Sequence, residues 1–491
     1  MRNFRDNLAL YALMAVCFAV FCYMGWRYVD VEFLALTNGD AMPQFLQLQK
    51  MSQGLITLNI KQFFAFEFYN YGFFYYVLNL LAALPFIITE NYPLQIYAPR
   101  VLNALFSIAN IWLLYRIARI YLSACNALLL VGVFVAMAGF WHLGYVFKPD
   151  VFQGFFVLAC AYYLLRDNFR FGKHYMLAWV ALGLGIGLAK FQAILFIPMM
   201  YAYICLPALS MQAGQILLAL KRCALGTLGV VALWIASNPY LLHKSGFNAW
   251  LSMFEGNMRS NATNHGAYTQ VSLSDKLAMI DFYYFEMVVF VGLLGVCGYL
   301  VWLGLVRVFR DSALGNHSGD FVDFLKKHRL SPSGVPCFRT TADLKSSSAL
   351  KSTKNPTSNT AIPRILEEGK QAQPLESTFE KTLSSRADEV GAAIHKGAKA
   401  DSSPKPLSLI SFVPLAVGFF ISLVYLLFFV NKAWEAYYFS TMALGCVLYI
   451  PLALACAKAF MKTSKGGGST MQSDLHAIKP LCYHSCLHCR F

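Results

Sequence analysis

Apolar runs of about twenty residues, separated by short polar stretches, recur along most of this chain. Twenty residues is what an α-helix needs to cross the bilayer core. The pattern predicts helices at roughly 7–27, 98–118, 124–144, 150–167, 175–190, 192–208, 223–240, 280–305, 409–430 and 436–458. The expected fold is therefore an all-α integral membrane bundle of about ten transmembrane helices. One further run, 72–88, is apolar enough to span. It opens with Phe73, Phe74, Tyr75 and Tyr76, aromatic residues suited to the membrane–water boundary, and is expected to lie at the outer interface. Between 311 and 405 the apolar runs stop, and Ser, Thr, Lys, Glu and Pro take over. Such a stretch buries too little apolar surface to offset its ordering entropy. The expected organisation is a membrane region over 1–310, a disordered cytoplasmic insert over 311–405, a helix pair over 406–462 and a cytoplasmic tail over 463–491.

Composition agrees with the pattern. Of 491 residues, 58% are hydrophobic, 15% aromatic and only 13% charged, against about 25% charged in soluble domains. The formal charge of +15 then reports topology and not nucleic-acid binding, because Lys and Arg gather in cytoplasmic loops. Arg2 and Arg5 put the N-terminus inside, ahead of a first helix expected to be an uncleaved anchor. With ten spans, Arg116 with Arg119, Arg166 with Arg170 and Lys173, Lys221 with Arg222, Arg307 with Arg310, and Lys458 with Lys462 and Lys465 all fall on that same side. A spanning 72–88 would invert the later clusters. The thirteen cysteines are scattered, many in apolar runs, and imply no disulfide framework.

This threading collects the unusual residues on the opposite, outer face. They are Asp30, Glu32 and Asp40 in the first loop, Lys148 and Asp150 in the second, and Lys190 at a helix end. Asn238-Pro239, Arg259 and His265 follow, then Lys432, Glu435, Tyr437 and Tyr438 in the last turn. Ionisable residues at the edge of a membrane are costly and tend to be functional. Each also has a plain structural role to weigh. Asp40 follows Asn38-Gly39 as a turn residue. Asp150 follows Pro149, where it would cap a helix. Lys190 would snorkel, Arg100 would anchor at the interface, and His265 would be solvated. The tail "CYHSCLHCRF" holds metal-type residues at a spacing that matches no standard site, so no metal ligand is assigned.

The pieces "NGDAMPQFLQLQKMSQG", "FYNYGFFYYVLNLLAALPF", "YAPRVLNALFSIANIWLLYRIAR", "FKPDVFQGFFVLACAYYLLR", "GLGIGLAKFQAILFIP" and "SNPYLL" resemble, in order and spacing, the polyprenyl-phosphate-dependent glycosyltransferases of the GT-C fold. The branch is that of the protein O-mannosyltransferases and the lipid A aminoarabinose transferase. The resemblance covers about 20–310 and, weakly, 409–458. It implies interfacial helices in the first outer loop and catalytic carboxylates at Asp40 and Asp150. It also implies a basic residue at Lys190; Arg100, Lys148, Arg259 and His265 are further substrate-binding candidates by residue type and position. The chain departs from the family in having Ala41 after Asp40 and in ending soon after 458, which bears on acceptor recognition.

The chemistry suits these residue types. A lipid-phosphate sugar already carries its leaving group. A carboxylate acting as general base contributes about 10²–10⁴-fold, and cations aimed at the phosphate stabilise its departing charge. The expected partners are a polyprenyl-phosphate-linked sugar, a glycan, lipid or protein acceptor, and membrane lipid, with no nucleic acid. A divalent metal stays open. The expected place is the inner or plasma membrane, with the active site extracytoplasmic. A transporter or flippase for a lipid-linked or amphipathic solute is the rival class, and an inactive scaffold-like relative a third. The topology is directly testable. In a cysteine-free background, Leu350→Cys in intact cells is expected to resist a membrane-impermeant thiol reagent; labelling from outside contradicts the arrangement.

Overall fold

The computed structural model describes residues 2–27, 29, 41–64, 71–208, 213–264, 269–313 and 408–466. They belong to one compact unit, Met1–Gly315 with Pro404–Phe491, whereas Asn316–Ser403, most of the expected insert, lies outside the described residues. Sixteen α-helices are described: α1 Arg2–Arg27, α2 Ala41–Ile56, α3 Ile60–Phe64, α4 Phe73–Ile88, α5 Tyr92–Ala118, α6 Ala124–Val135, α7 Ala138–Gly144 and α8 Asp150–Asp167. They continue with α9 Lys173–Leu184, α10 Ile197–Ala208, α11 Ala213–Ser237, α12 Lys244–Thr263, α13 Leu273–Tyr283, α14 Met287–Ala313, α15 Val413–Phe428 and α16 Glu435–Gly466. No strand occurs among the described residues, only one isolated antiparallel bridge between Tyr71 and Lys190. The protein is an all-α polytopic membrane protein.

Seven helical stretches are long and apolar enough to cross a membrane, and the α6–α7 pair, bent by 71°, makes an eighth. By length and composition alone this is fewer than the expected ten, although each expected span has a helix among the described residues. The shortfall has two causes. α8 carries Asp150, Arg166 and Asp167 within its eighteen residues, and Lys173–Ala189 is a shorter apolar helix. Boundaries also move where a polar residue interrupts the backbone ladder. α11 stops at Ser237, before a 3₁₀ turn at Pro239–Leu242, because proline has no N–H to continue a helix. The helix expected at 280–305 is broken, with α13 ending at Tyr283 and the Asp281 carboxylate accepting the Met287 N–H at 2.6 Å to start α14. α4 is a separate sixteen-residue helix whose Phe73, Tyr75, Tyr76, Asn79, Leu80 and Ala83 are buried.

Three local features position the site. The first is a break between α9 and α10. A π-helical turn, Gly185–Ala189, leads into extended Lys190 (φ −145°, ψ 129°), followed by a 3₁₀ turn at Phe191–Phe196. The chain at Tyr71-Gly72 lies against this break, and the Gly72 N–H donates to the Ala189 carbonyl at 3.2 Å. A Cβ on Gly72 would stand 2.1 Å from the Gly187 oxygen, so only glycine fits. Buried Asn238 ties the two together. Its Oδ1 accepts the Phe73 N–H at 2.8 Å and its Nδ2 donates to the Gly187 and Trp234 carbonyls at 3.0 and 2.8 Å.

The second feature is the close approach of α16 to α8. A Cβ on Gly154 would meet the Phe439 ring at 2.6 Å, so glycine there admits α16. The third is a polar stripe on α5. Asn103 Nδ2 donates to the Leu143 carbonyl (2.9 Å), Ser107 Oγ to Gly144 (3.3 Å) and Asn110 Nδ2 to Val151 (2.9 Å). In a bilayer core every backbone polar group needs an internal partner, and this stripe supplies them where α7 ends and α8 begins.

Asn238→Leu keeps the apolar packing but orphans the Phe73 N–H and the Gly187 carbonyl, each at a cost of roughly 1–3 kcal/mol. Detergent-purified Asn238→Leu is expected to unfold at clearly lower temperature than the parent; an unchanged melting temperature contradicts the clamp.

Candidate functional site

The site is built on an ion pair. Lys190 Nζ lies 2.9 Å from Asp150 Oδ1, with Asp150 1% exposed. Asp150 is the first residue of α8, yet its carboxylate does not cap the helix: Pro149 takes the cap position and no side-chain cap bond forms. The capping role weighed from the sequence is therefore absent, and the carboxylate is held by a residue forty positions away. Its second oxygen, Oδ2, is buried with no hydrogen-bond partner. Leaving a buried carboxylate oxygen unsatisfied is costly, and a buried pair persists only where the surrounding geometry enforces it. The π turn enforces it here, delivering Lys190 in extended backbone opposite the start of α8.

Around the pair stands a shell of aromatics and lysines. Lys190 Nζ sits 4.5 Å over the Tyr437 ring and 6.0 Å from Tyr71. Trp434 and Tyr437 stack at 5.9 Å. Lys148 and Lys432 approach the Trp434 ring at 6.0 and 5.0 Å. Buried Lys432 also donates to Ser260 Oγ of α12 at 3.0 Å, and Gln192 Nε2 donates to the Tyr437 carbonyl at 3.0 Å. The loop before α16 is gripped from the same side: Asn431 N–H donates to the Asn261 carbonyl at 2.8 Å and Asn431 Oδ1 accepts the Val271 N–H at 2.7 Å.

A second acid–base pair lies beside the first. His142 of α7 places Nε2 3.3 Å from Glu435 Oε1, the histidine 42% and the glutamate 16% exposed. The Tyr284 hydroxyl donates to the Glu435 carbonyl. Burial, and then the carboxylates of Glu435 and Asp150, push this phenol well above its ordinary value, so one hydroxyl feels both acidic groups. Glu435 feels the charge of Lys148 as well.

Residues 76–241 match the family described as dolichyl-phosphate-mannose-protein mannosyltransferase. The match covers about a third of the chain and likens it to membrane glycosyltransferases of the GT-C type. No curated protein and no solved structure matches it. The matched segment runs from α4 through α11 into the 3₁₀ turn at Pro239–Leu242. It contains Asp150, Lys190, Asn238 and His142, whereas Lys432, Trp434, Glu435 and Tyr437 come from beyond it.

The fold brings together Asp150, Lys190 and Lys148 of the residues singled out in the sequence. Arg100 is instead turned to α1, its Nη1 donating to the Gly25 carbonyl at 2.8 Å. Arg259 lies on the exposed face of α12, next to the Ser260 that meets Lys432. Asp40 and His265 lie outside the described residues, as do Asp30, Glu32 and the cysteine-rich tail. Among the described residues no group of three His, Cys, Asp or Glu side chains could hold a metal ion. Sequence reasoning missed His142, although an ionisable residue inside the apolar run "AGFWHLG" is the kind of signal that marks a membrane site. It also missed Asp167, at the far end of α8. That carboxylate accepts the Phe171, Gly172 and Tyr175 N–H groups and the Tyr203 hydroxyl at 2.6–3.2 Å. Its partners are all within the protein, and its role is to turn the chain into α9.

Neutralising one partner of a buried pair strands the other, at about 3–5 kcal/mol. Lys190→Met is expected to lower the melting temperature of the transferase sharply, and Lys190→Met with Asp150→Asn to recover most of it. A double variant no more stable than Lys190→Met contradicts a coupled pair.

Proposed function

We propose that the transferase moves a sugar from a polyprenyl-phosphate donor to a hydroxyl or amine acceptor at the outer face of the membrane. The observation that carries this reading is the buried Asp150–Lys190 pair, with one carboxylate oxygen unpartnered, linked to Lys148 and Lys432 through the stacked Tyr437 and Trp434 rings. Its parts divide the donor between them. Lysines act as point charges for phosphate, so Lys190, Lys148 and Lys432 hold the donor phosphate and stabilise the charge that grows on it as the sugar–oxygen bond breaks. Asp150 Oδ2 accepts from a sugar hydroxyl, and its charge favours the positive charge developing at the reacting carbon. Gln153 Nε2, Gln192 Oε1 and Ser440 Oγ are also buried and unpartnered. They follow Asp150, Lys190 and Tyr437 by two or three residues and supply further neutral partners for a polyol. Salt-bridged Asp150 is better suited to orienting and charge stabilisation than to taking a proton; Asp40 keeps its proposed place as the first-loop carboxylate.

The outward side rests on distance. Asp150 and Asp167 stand at opposite ends of α8, whose eighteen residues span about 27 Å. The arginine-rich end is the Asp167 end, where Arg222 sits 3.9 Å over the Phe171 ring. Cations mark the cytoplasmic side, so in this reading the Asp150–Lys190 site faces away from it. Transporters place their charged sites near the midplane, between repeated halves; here the charges gather at one end of α8. Lipid extracts from cells lacking the protein test the reading. A polyprenyl-phosphate sugar is expected to accumulate; an unchanged lipid profile, with wild-type levels of that donor, contradicts it.

A further inference from the structure

We propose that His142, oriented by Glu435, is the base that takes the acceptor's proton. The inference rests on the donor chemistry proposed above and assigns the half of the reaction which that chemistry leaves open.

The geometry distinguishes the two acid–base pairs by access. Asp150 is 1% exposed and neutralised by Lys190. His142 is 42% exposed and meets Glu435 through Nε2. A carboxylate on Nε2 holds the neutral imidazole in the tautomer with the proton on that nitrogen, which leaves Nδ1 as an acceptor. Among the described residues Nδ1 has no hydrogen-bond partner. A base oriented by a third group in this way is the arrangement that activates a weak nucleophile. Glu435 is itself fixed at the first turn of α16, with its carbonyl bonded by the Tyr284 hydroxyl. Gly139 admits the Tyr284 ring beside α7, where a Cβ would approach it to 2.7 Å.

Among the described residues, the surroundings of His142 supply no competing base. From α13, the Tyr283 ring lies 5.7 Å away and Tyr284 is buried. From α16 comes Glu435, and from the α7–α8 connection Lys148. From α8 comes Asp150, taken by Lys190. α5 brings neutral Asn103 and Ser107 to the end of α7. The only ionisable residue of α6 is Cys125, at its opposite end. A bend of 71° separates α6 from α7, which carries His142.

In the reaction, the sugar C1–O(phosphate) bond breaks with its electron pair going to the polyprenyl phosphate. The acceptor oxygen or nitrogen bonds to C1, and the acceptor proton passes to His142 Nδ1. The imidazolium is steadied by Glu435 until the proton leaves to solvent or to the product phosphate. Glu435 acts through His142 and is a positioning residue.

The test uses the full-length transferase in lipid nanodiscs, radiolabelled polyprenyl-phosphate-linked mannose as donor and water as the probe acceptor. His142→Gln is expected to lower kcat by about 10²-fold or more, the scale of a general base, while KM for the donor holds. The fall in rate on the acid side of the pH profile, present in the parent because protonation silences the base, is expected to vanish. Added imidazole is expected to restore turnover to His142→Gly, an effect a merely structural histidine would not show. Glu435→Gln is expected to lower kcat and keep the acid limb. A parent-like rate and pH profile in His142→Gln overturns this assignment and leaves the donor chemistry standing. A parent enzyme that neither binds nor consumes any polyprenyl-phosphate sugar overturns the donor chemistry and this assignment with it.

Discussion

A carboxylate inside a membrane protein persists as a charge only beside a cation. Asp150 is buried at the start of α8, and Lys190 is the cation. The local backbone exists to make that meeting possible. An uninterrupted helix through 175–208 would carry Lys190 along a regular spiral. The π turn, the extended residue and the 3₁₀ turn instead present it sideways. Such irregular backbone is tolerated at membrane depth only where protein covers it. Tyr71-Gly72 and Asn238 provide that cover. The glycines Gly72 and Gly187 allow the approach because no Cβ intervenes.

The same requirement organises the neighbouring helices. Gly154 lets α16 close on α8, and α16 brings Glu435 and Tyr437 with it, preceded by Lys432 and Trp434. The polar stripe of α5 satisfies the carbonyls exposed where α7 ends. The irregular connection from α7 to α8 then carries Lys148 and Asp150, and Asn110 meets the Val151 carbonyl just beyond it. Two carboxylates of different access result from one scaffold. Asp150 is enclosed and paired, whereas Glu435 opens toward a half-exposed histidine.

Much of this was legible in the sequence. Composition and run length gave an all-α membrane protein, and Lys148, Asp150 and Lys190 stood out because charges at helix ends in apolar sequence are expensive. What escaped depended on contacts distant in the chain. Asp150 looked like a cap because Pro149-Asp150 is a good local start; its partner forty residues on leaves no local signal. His142 sat in a run counted as one span, and no proline or glycine pair announces the bend at Ala136-Met137. Glu435 was visible as an outer charge, but its pairing with His142 joins residues nearly three hundred positions apart. Arg100 stood out as a phosphate-binding cation, and its guanidinium donates to the Gly25 carbonyl near the end of α1. Two of the ten expected spans, α8 and Lys173–Ala189, do not stand out by length and composition, because one ends in charges and the other in a π turn.

The central claim is that the Asp150 carboxylate is there to act on a bound sugar-phosphate and not to start a helix. Asparagine is close in shape, caps helices about as well as aspartate, and removes the charge. The most direct measurement is the turnover of polyprenyl-phosphate-linked mannose by purified Asp150→Asn, taken together with its melting temperature. Turnover at least about 10²-fold below the parent, as for loss of a preorganised charge at a reacting centre, in a protein that remains folded, is the result this account predicts. Near-parental turnover in a folded Asp150→Asn protein would contradict it.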